Sequence, residues 1–113
     1  MPIPGSGEQI HQAVTAWEEV AHAPHRFGGT EFRVGRREIG HVHGDSLVDI
    51  PFSLRVRDEL VKNGAAEPHH ILPKSGWVSV YLRHPGDVDR AIQLLRRCYE
   101  IALASQIRSA QTE

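Results

Sequence analysis

Gly76-Trp77-Val78-Ser79-Val80-Tyr81-Leu82 is the stretch on which the fold turns. Val78, Val80 and Leu82 share one parity; Trp77, Ser79 and Tyr81 share the other. That period of two defines a half-buried strand over residues 76–82. Pro85-Gly86 ends it. Asp87 then caps a long helix running to residue 105, with Val88, Ala91, Ile92, Leu95, Cys98, Tyr99 and Ala102 recurring at helical spacing.

Upstream of that strand, Ser53 is a natural N-cap for a helix over 54–63, and Gly64 suits the left-handed position just past its end. Residues 65–74 read as loop. Three short strands are expected before this helix, over 31–34, 37–43 and 46–50, with Gly35-Arg36 as a hairpin turn and Pro51 as a stop. Simple alternation in the second of them groups Arg37, Ile39, His41 and His43. A first helix is expected over 8–21, from the stripe Ile10, Val14, Trp17, Ala21 and the capping-box spacing of Ser6 with Gln9. Pro24 blocks it, and Phe27-Gly28-Gly29 forms a turn.

The expected order is α-β-β-β-α-β-α. It defines an α+β fold with a mostly antiparallel sheet and helices packed on one face. Phe32, Val34, Val78, Val80 and Leu82 would meet the helices, leaving Arg33, Trp77 and Tyr81 on the opposite face. The organisation reads as a flexible leader over 1–7, one domain over 8–105 and a polar tail over 106–113.

At 113 residues the chain has room for one modest core. Thirteen basic against fourteen acidic side chains leave no field to hold a polyanion, which argues against a nucleic-acid partner. The lone Cys98 excludes an internal disulfide and fits a reducing, cytoplasmic setting. No signal-peptide pattern and no run long enough to span a bilayer is visible, so no membrane partner is expected. The apolar stripe of the last helix is long enough to serve a homodimer.

Histidine carries the chemical signal. His41-Val42-His43-Gly44-Asp45 places two imidazoles at i, i+2, on one face of a strand. His69-His70 follow later, close to Ser75 and Trp77. Histidine titrates near neutral pH and acts as acid, base or metal ligand. Adjacent histidines on an extended segment point opposite ways, so one of His69 and His70 is expected to join the other pair. Competing structural readings are a strand-surface role for His41 and His43, core packing for Trp77 and a turn role for Ser75. A His-x-His strand completed by Asp45 or His69 could also hold an ion. No Cys, Glu or His-Glu-x-x-His stands at a diagnostic interval, so no residue is assigned to a metal.

Several separated motifs occur in order: His25-Arg26-Phe27-Gly28-Gly29, Glu31-Phe32-Arg33, His41-Val42-His43-Gly44-Asp45, Asp49-Ile50-Pro51-Phe52 and Val56-Arg57-Asp58-Glu59-Leu60. Pro68-His69-His70, Ser75-Gly76-Trp77-Val78 and Tyr99-Glu100 follow. Over residues 25–103 the chain resembles the luciferase-domain family, whose bacterial members are small. The Gly-Trp-Val strand followed by a helix bearing a tyrosine is also similar, more loosely, to YjbR-type proteins. The first resemblance implies kinship with fungal luciferases, which oxidise a hydroxylated α-pyrone with dioxygen and need no recognised metal or flavin. It implies an oxidoreductase-like pocket for a small oxygen-rich molecule, with dioxygen as co-substrate, no cofactor, and catalytic roles on His41, His43, His69 and His70. Arg33, Asp45, Ser75, Trp77 and Tyr81 are the candidate substrate-binding residues. A histidine base acting on a hydroxylated aromatic or pyrone-like molecule is the leading expectation. The alternatives are a non-catalytic ligand-binding or interaction module and a transition-metal enzyme.

Overall fold

The computed structural model describes residues 2–25 and 28–112, with side chains through Ser109. In chain order its elements are α1 (Ser6–Thr15), β1 (Val20–Pro24), β2 (Thr30–Val34), β3 (Arg37–His43), β4 (Leu47–Pro51), α2 (Leu54–Lys62), β5 (Glu67–Pro68), β6 (Trp77–Tyr81) and α3 (Pro85–Thr112). All strand pairings are antiparallel, and the sheet order is β1-β2-β3-β4-β6-β5. The fold is α+β, with α1 and α3 packed on one face of the sheet.

The inward residues of β2, β4 and β6 follow the alternation of the sequence. Phe32, Val34, Val48, Ile50, Val78 and Val80 are buried against Ile10 and Val14 of α1 and Ala91, Leu95 and Cys98 of α3. Apolar burial of this kind is the main favourable term holding the domain together. Ser53 caps α2 by accepting the Val56 N–H at 3.3 Å, and Gly64 stands past its end with φ 73°. Asp87 acts from inside the first turn of α3. Its Oδ2 accepts the backbone N–H groups of Arg83 and His84 at 2.9 and 2.8 Å.

Five features depart from the sequence reading. The first helix stops at Thr15 instead of reaching residue 21, and Val20–Pro24 is a strand. Glu19 sits at φ 71°, which no helix tolerates, and the Tyr99 hydroxyl holds the turn by donating to the Glu18 carbonyl at 2.9 Å. Ladder bonds to β2 then hold residues 20–24 extended, against the apolar stripe. Gly5 rather than Ser6 is the N-cap of α1. A two-residue strand, β5, forms inside the expected loop 65–74. The last helix runs on to Thr112. In the expected turn at 27–29, Phe27 lies outside the described residues, while Gly28 and Gly29 both have positive φ.

The remaining departure sets up the site. Simple alternation would put Ile39, His41 and His43 on one face of β3. Instead, the register slips between Phe32 and Arg33: Phe32 pairs with Gly40 and Arg33 with Glu38, leaving Ile39 as the extra residue of a β-bulge. Ile39 and Gly40 both lie toward the helices. Ile39 is fully buried in the core, and a Cβ on Gly40 would stand 2.5 Å from Leu95 Cδ2. The bulge therefore sends Glu38, His41 and His43 to the opposite face.

Candidate functional site

His41, Asp49 and Ser79 are direct cross-strand partners on β3, β4 and β6. Their side chains form a row across the middle of the sheet, on the face away from α1 and α3. Asp49 is fully buried there, between Val48 and Ile50, which point to the core. An isolated buried carboxylate is costly unless other groups compensate its charge. Here the compensation is dense. Asp49 Oδ1 accepts the Ser79 hydroxyl at 2.7 Å. Asp49 Oδ2 has the Nε2 atoms of His41 and His43 at 3.2 Å, His70 at 3.1 Å and His69 at 3.5 Å.

The rings are held from behind as well. Nδ1 of His41 meets Glu38 Oε2 at 2.6 Å, and the His25 ring stacks on His41 with centroids 4.1 Å apart. Nδ1 of His69 accepts the backbone N–H groups of Ile71 and Leu72 at 3.1 and 3.0 Å. That fixes the tautomer: the ring proton of a neutral His69 is on Nε2, facing Asp49. His69 thus pins the loop that carries His70 over the sheet.

Burial is the largest influence on His41 and opposes its charge. Hydrogen bonds to Asp49 and Glu38, with their negative charges, outweigh it and raise the pKa to about 9. His43 is pushed the other way, by burial and by the charge of His41. Burial likewise lowers His69. For Asp49 burial alone would favour the neutral acid, but the bonds from His41, Ser79 and His70 win and hold the carboxyl well below the usual range. A charged and a neutral imidazole thus share one carboxylate, with ring centroids 4.8 Å apart.

The row floors a cavity of about 800 Å³, large enough for a small organic molecule. Trp77 forms one wall, its ring 5.3 Å from that of His41 and 5.8 Å from that of His69. Arg33 and Glu31 form another wall and are ion-paired with each other. Ile71 and Leu72, both exposed, give an apolar rim.

The structure brings His41, His43, His69, His70, Arg33 and Trp77 to this one cavity. Both adjacent histidines reach it, because the loop turns sharply after β5 and their rings stack at 4.3 Å. Three candidates lie elsewhere. Asp45 caps α1, accepting the Gly7 N–H at 2.8 Å and the Gly5 N–H at 3.2 Å. Ser75 braces its own loop, donating to the Leu72 carbonyl at 2.7 Å and accepting the Trp77 N–H at 3.2 Å. Tyr81 lies under the Arg83 guanidinium and borders a separate, smaller cavity of about 160 Å³. Sequence reasoning missed Asp49, Glu38 and His25 as site residues. Asp49 did carry a signal: an acid in mid-strand between Val48 and Ile50, where an apolar or neutral residue is the norm.

Fold and site together define a small α+β pocket protein built around a histidine–aspartate cluster. The chain belongs to the Luciferase domain family, whose model matches residues 36–98. That span holds Glu38, His41, His43, Asp49, His69, His70 and Trp77, and leaves His25 and Arg33 outside. The looser YjbR likeness gained no support. Searches of curated proteins and of solved structures returned no match. No helix among the described residues is long and apolar enough to cross a membrane.

Proposed function

We propose that this protein is an enzyme that binds a small hydroxylated aromatic or pyrone-like molecule in the histidine-floored cavity and prepares it for reaction with dioxygen. One observation carries the reading: four imidazoles converge on the buried carboxylate of Asp49 on the floor of a cavity of ligand size. His43 and His70 are the candidate bases. Each presents Nε2 to Asp49, and an N–H donated there leaves Nδ1 as the basic nitrogen, as in other carboxylate-oriented imidazoles. Removal of a substrate O–H proton gives an enolate or phenolate. This anion supplies the electrons for a new C–O bond to dioxygen, and the peroxide formed takes a proton. His41 faces the same space and stabilises developing negative charge. The buried lone cysteine fits a reducing cytoplasm, where we place the protein.

The test is oxygen uptake, with product mass, on a panel of hydroxy-α-pyrones and phenols. Turnover is expected with the wild type and lost in H43A/H70A of native circular dichroism. Tight binding of a panel compound that is recovered unchanged under air would overturn the enzyme reading and leave a ligand-binding module.

A further inference from the structure

We infer that His41, His43 and Asp49 form a binding site for a divalent first-row transition-metal ion, with Glu38 and Ser79 orienting the ligands. This goes beyond the proposed function and does not depend on it, since binding is measured without substrate.

Acceptor arithmetic at Asp49 favours an ion. A carboxylate oxygen offers about two lone-pair directions. Asp49 Oδ2 faces four imidazole nitrogens within 3.5 Å. Protons on all four would crowd one acceptor, whereas a cation lets two of those nitrogens turn lone pairs inward and act as ligands beside the oxygen.

The tautomer pattern sorts the histidines. His69 is excluded as a ligand, because its Nδ1 lone pair is used by two backbone N–H groups and its proton is therefore on Nε2. His41 is the opposite case. Donation from Nδ1–H to Glu38 directs Nε2 at the ion, which takes the place of the proton Nε2 carries in the metal-free imidazolium, the carboxylate–histidine–metal arrangement that fixes ring orientation in metal sites. Asp49 is oriented in the same way by the Ser79 hydroxyl on its other oxygen.

The spacing of these atoms also suits an ion. Ligand atoms about 2.1 Å from one ion stand roughly 3.0 Å apart at right angles and roughly 3.4 Å apart in a tetrahedron. Both Nε2 atoms lie 3.2 Å from Asp49 Oδ2, and the three residues each offer a ligand atom within 4.8 Å of the other two. Two imidazoles and one carboxylate, with no thiolate, suit Fe(II), Mn(II), Co(II) or Zn(II) and leave positions open toward the cavity. A substrate oxygen or dioxygen could fill them. His70 then remains as the cavity imidazole outside the coordination sphere.

The probe is Co(II), added to the untagged full-length protein after EDTA treatment and followed by its visible ligand-field bands and by calorimetry. One Co(II) per chain is expected. Affinity should fall at least 100-fold in D49N and in H41A/H43A, and about 10- to 100-fold in E38Q, which keeps every ligand. H11A/H22A, which removes a histidine pair that does not line the cavity, should bind like the wild type. If D49N does not fold, E38Q and H43A decide the matter. The inference is overturned if no Co(II) binds, if D49N or E38Q binds as well as the wild type, or if H11A/H22A abolishes binding. Metal binding without turnover on the panel would sink the proposed function alone; turnover on the panel by a protein that binds no Co(II) would sink this inference alone.

Discussion

Gly40→Ala tests the device that aims the histidines. A Cβ at this position would stand 2.5 Å from Leu95 Cδ2 and 3.0 Å from the Asp49 carbonyl oxygen, at a backbone φ of 151°. Overpacking a full core typically costs ~1–3 kcal/mol, and a side chain at a strongly disfavoured φ adds ~1–3 kcal/mol. A loss of about 3 kcal/mol is therefore expected, roughly 12 °C in Tm for a domain of this size. Part of it is a collision with one named side chain, so a second substitution can isolate it. Leu95 is fully buried, and Leu95→Ala alone should cost ~2–5 kcal/mol. In the double variant the clash with Leu95 is gone while the φ strain and the Asp49 contact remain. The pair should then be less destabilised than the sum of the singles by about 1–2 kcal/mol, a coupling expected only between residues in contact. Urea unfolding of the four proteins measures the cycle. Additivity within about 0.5 kcal/mol, or a Gly40→Ala protein as stable as the wild type, would refute the placement of Gly40 against α3 and with it the account of the bulge.

Further outcomes follow from other parts of the molecule. Cys98 is buried, and burial pushes its thiol up to about 12, so a disulfide exchange reagent at pH 8 should modify it only as urea unfolds the chain; rapid stoichiometric labelling of native protein would contradict this. Asp87 is held below its ordinary value of 3.8 by the backbone groups of Arg83 and His84 and by Arg90, although burial opposes this. Its stabilising effect is therefore present above that value and lost as pH falls through the lower folded one. Asp87→Asn should cost about 1 kcal/mol at pH 7, with the gap from the wild type closing in acid; a gap that widens below pH 4 would reverse the sign. His69→Ala removes the acceptor for the Ile71 and Leu72 amides, so hydrogen exchange at those two positions should quicken about tenfold, and unchanged rates would show that the loop is held by other means.

Legibility from sequence tracked how local the deciding physics was. Ser53 with Gly64 announced α2, and the alternation of 76–82 announced β6, because capping and pleating act over a few residues. The α+β class followed from the same signals. The first helix was read too long because Trp17 and Ala21 continue an apolar stripe, while the forces that end it come from β2 and from Tyr99, 81 residues away from Glu18. The face of the histidine strand was hidden for a related reason. One extra residue, Ile39, reverses the parity between Ile39 and His41, and only the pairing with β2 shows it. His41, His43, His69, His70, Arg33 and Trp77 were picked out by residue type. Their common anchor, Asp49, was not, since it is a single acid whose meaning depends on strand order. Asp45 was credited to the site by its closeness in sequence to the histidines. The chain turns at Gly44, and its carboxylate serves α1 instead.

The most direct test of the central claim is a crystal structure of the untagged protein at a resolution that shows ordered water and ions. The account predicts that the Nε2 atoms of His41, His43 and His70 gather around the Asp49 carboxylate, beside Trp77, in one open cavity, either hydrogen-bonded to it or sharing an ion with it. Histidine rings directed to separate surfaces, with Asp49 paired to other groups, would contradict it.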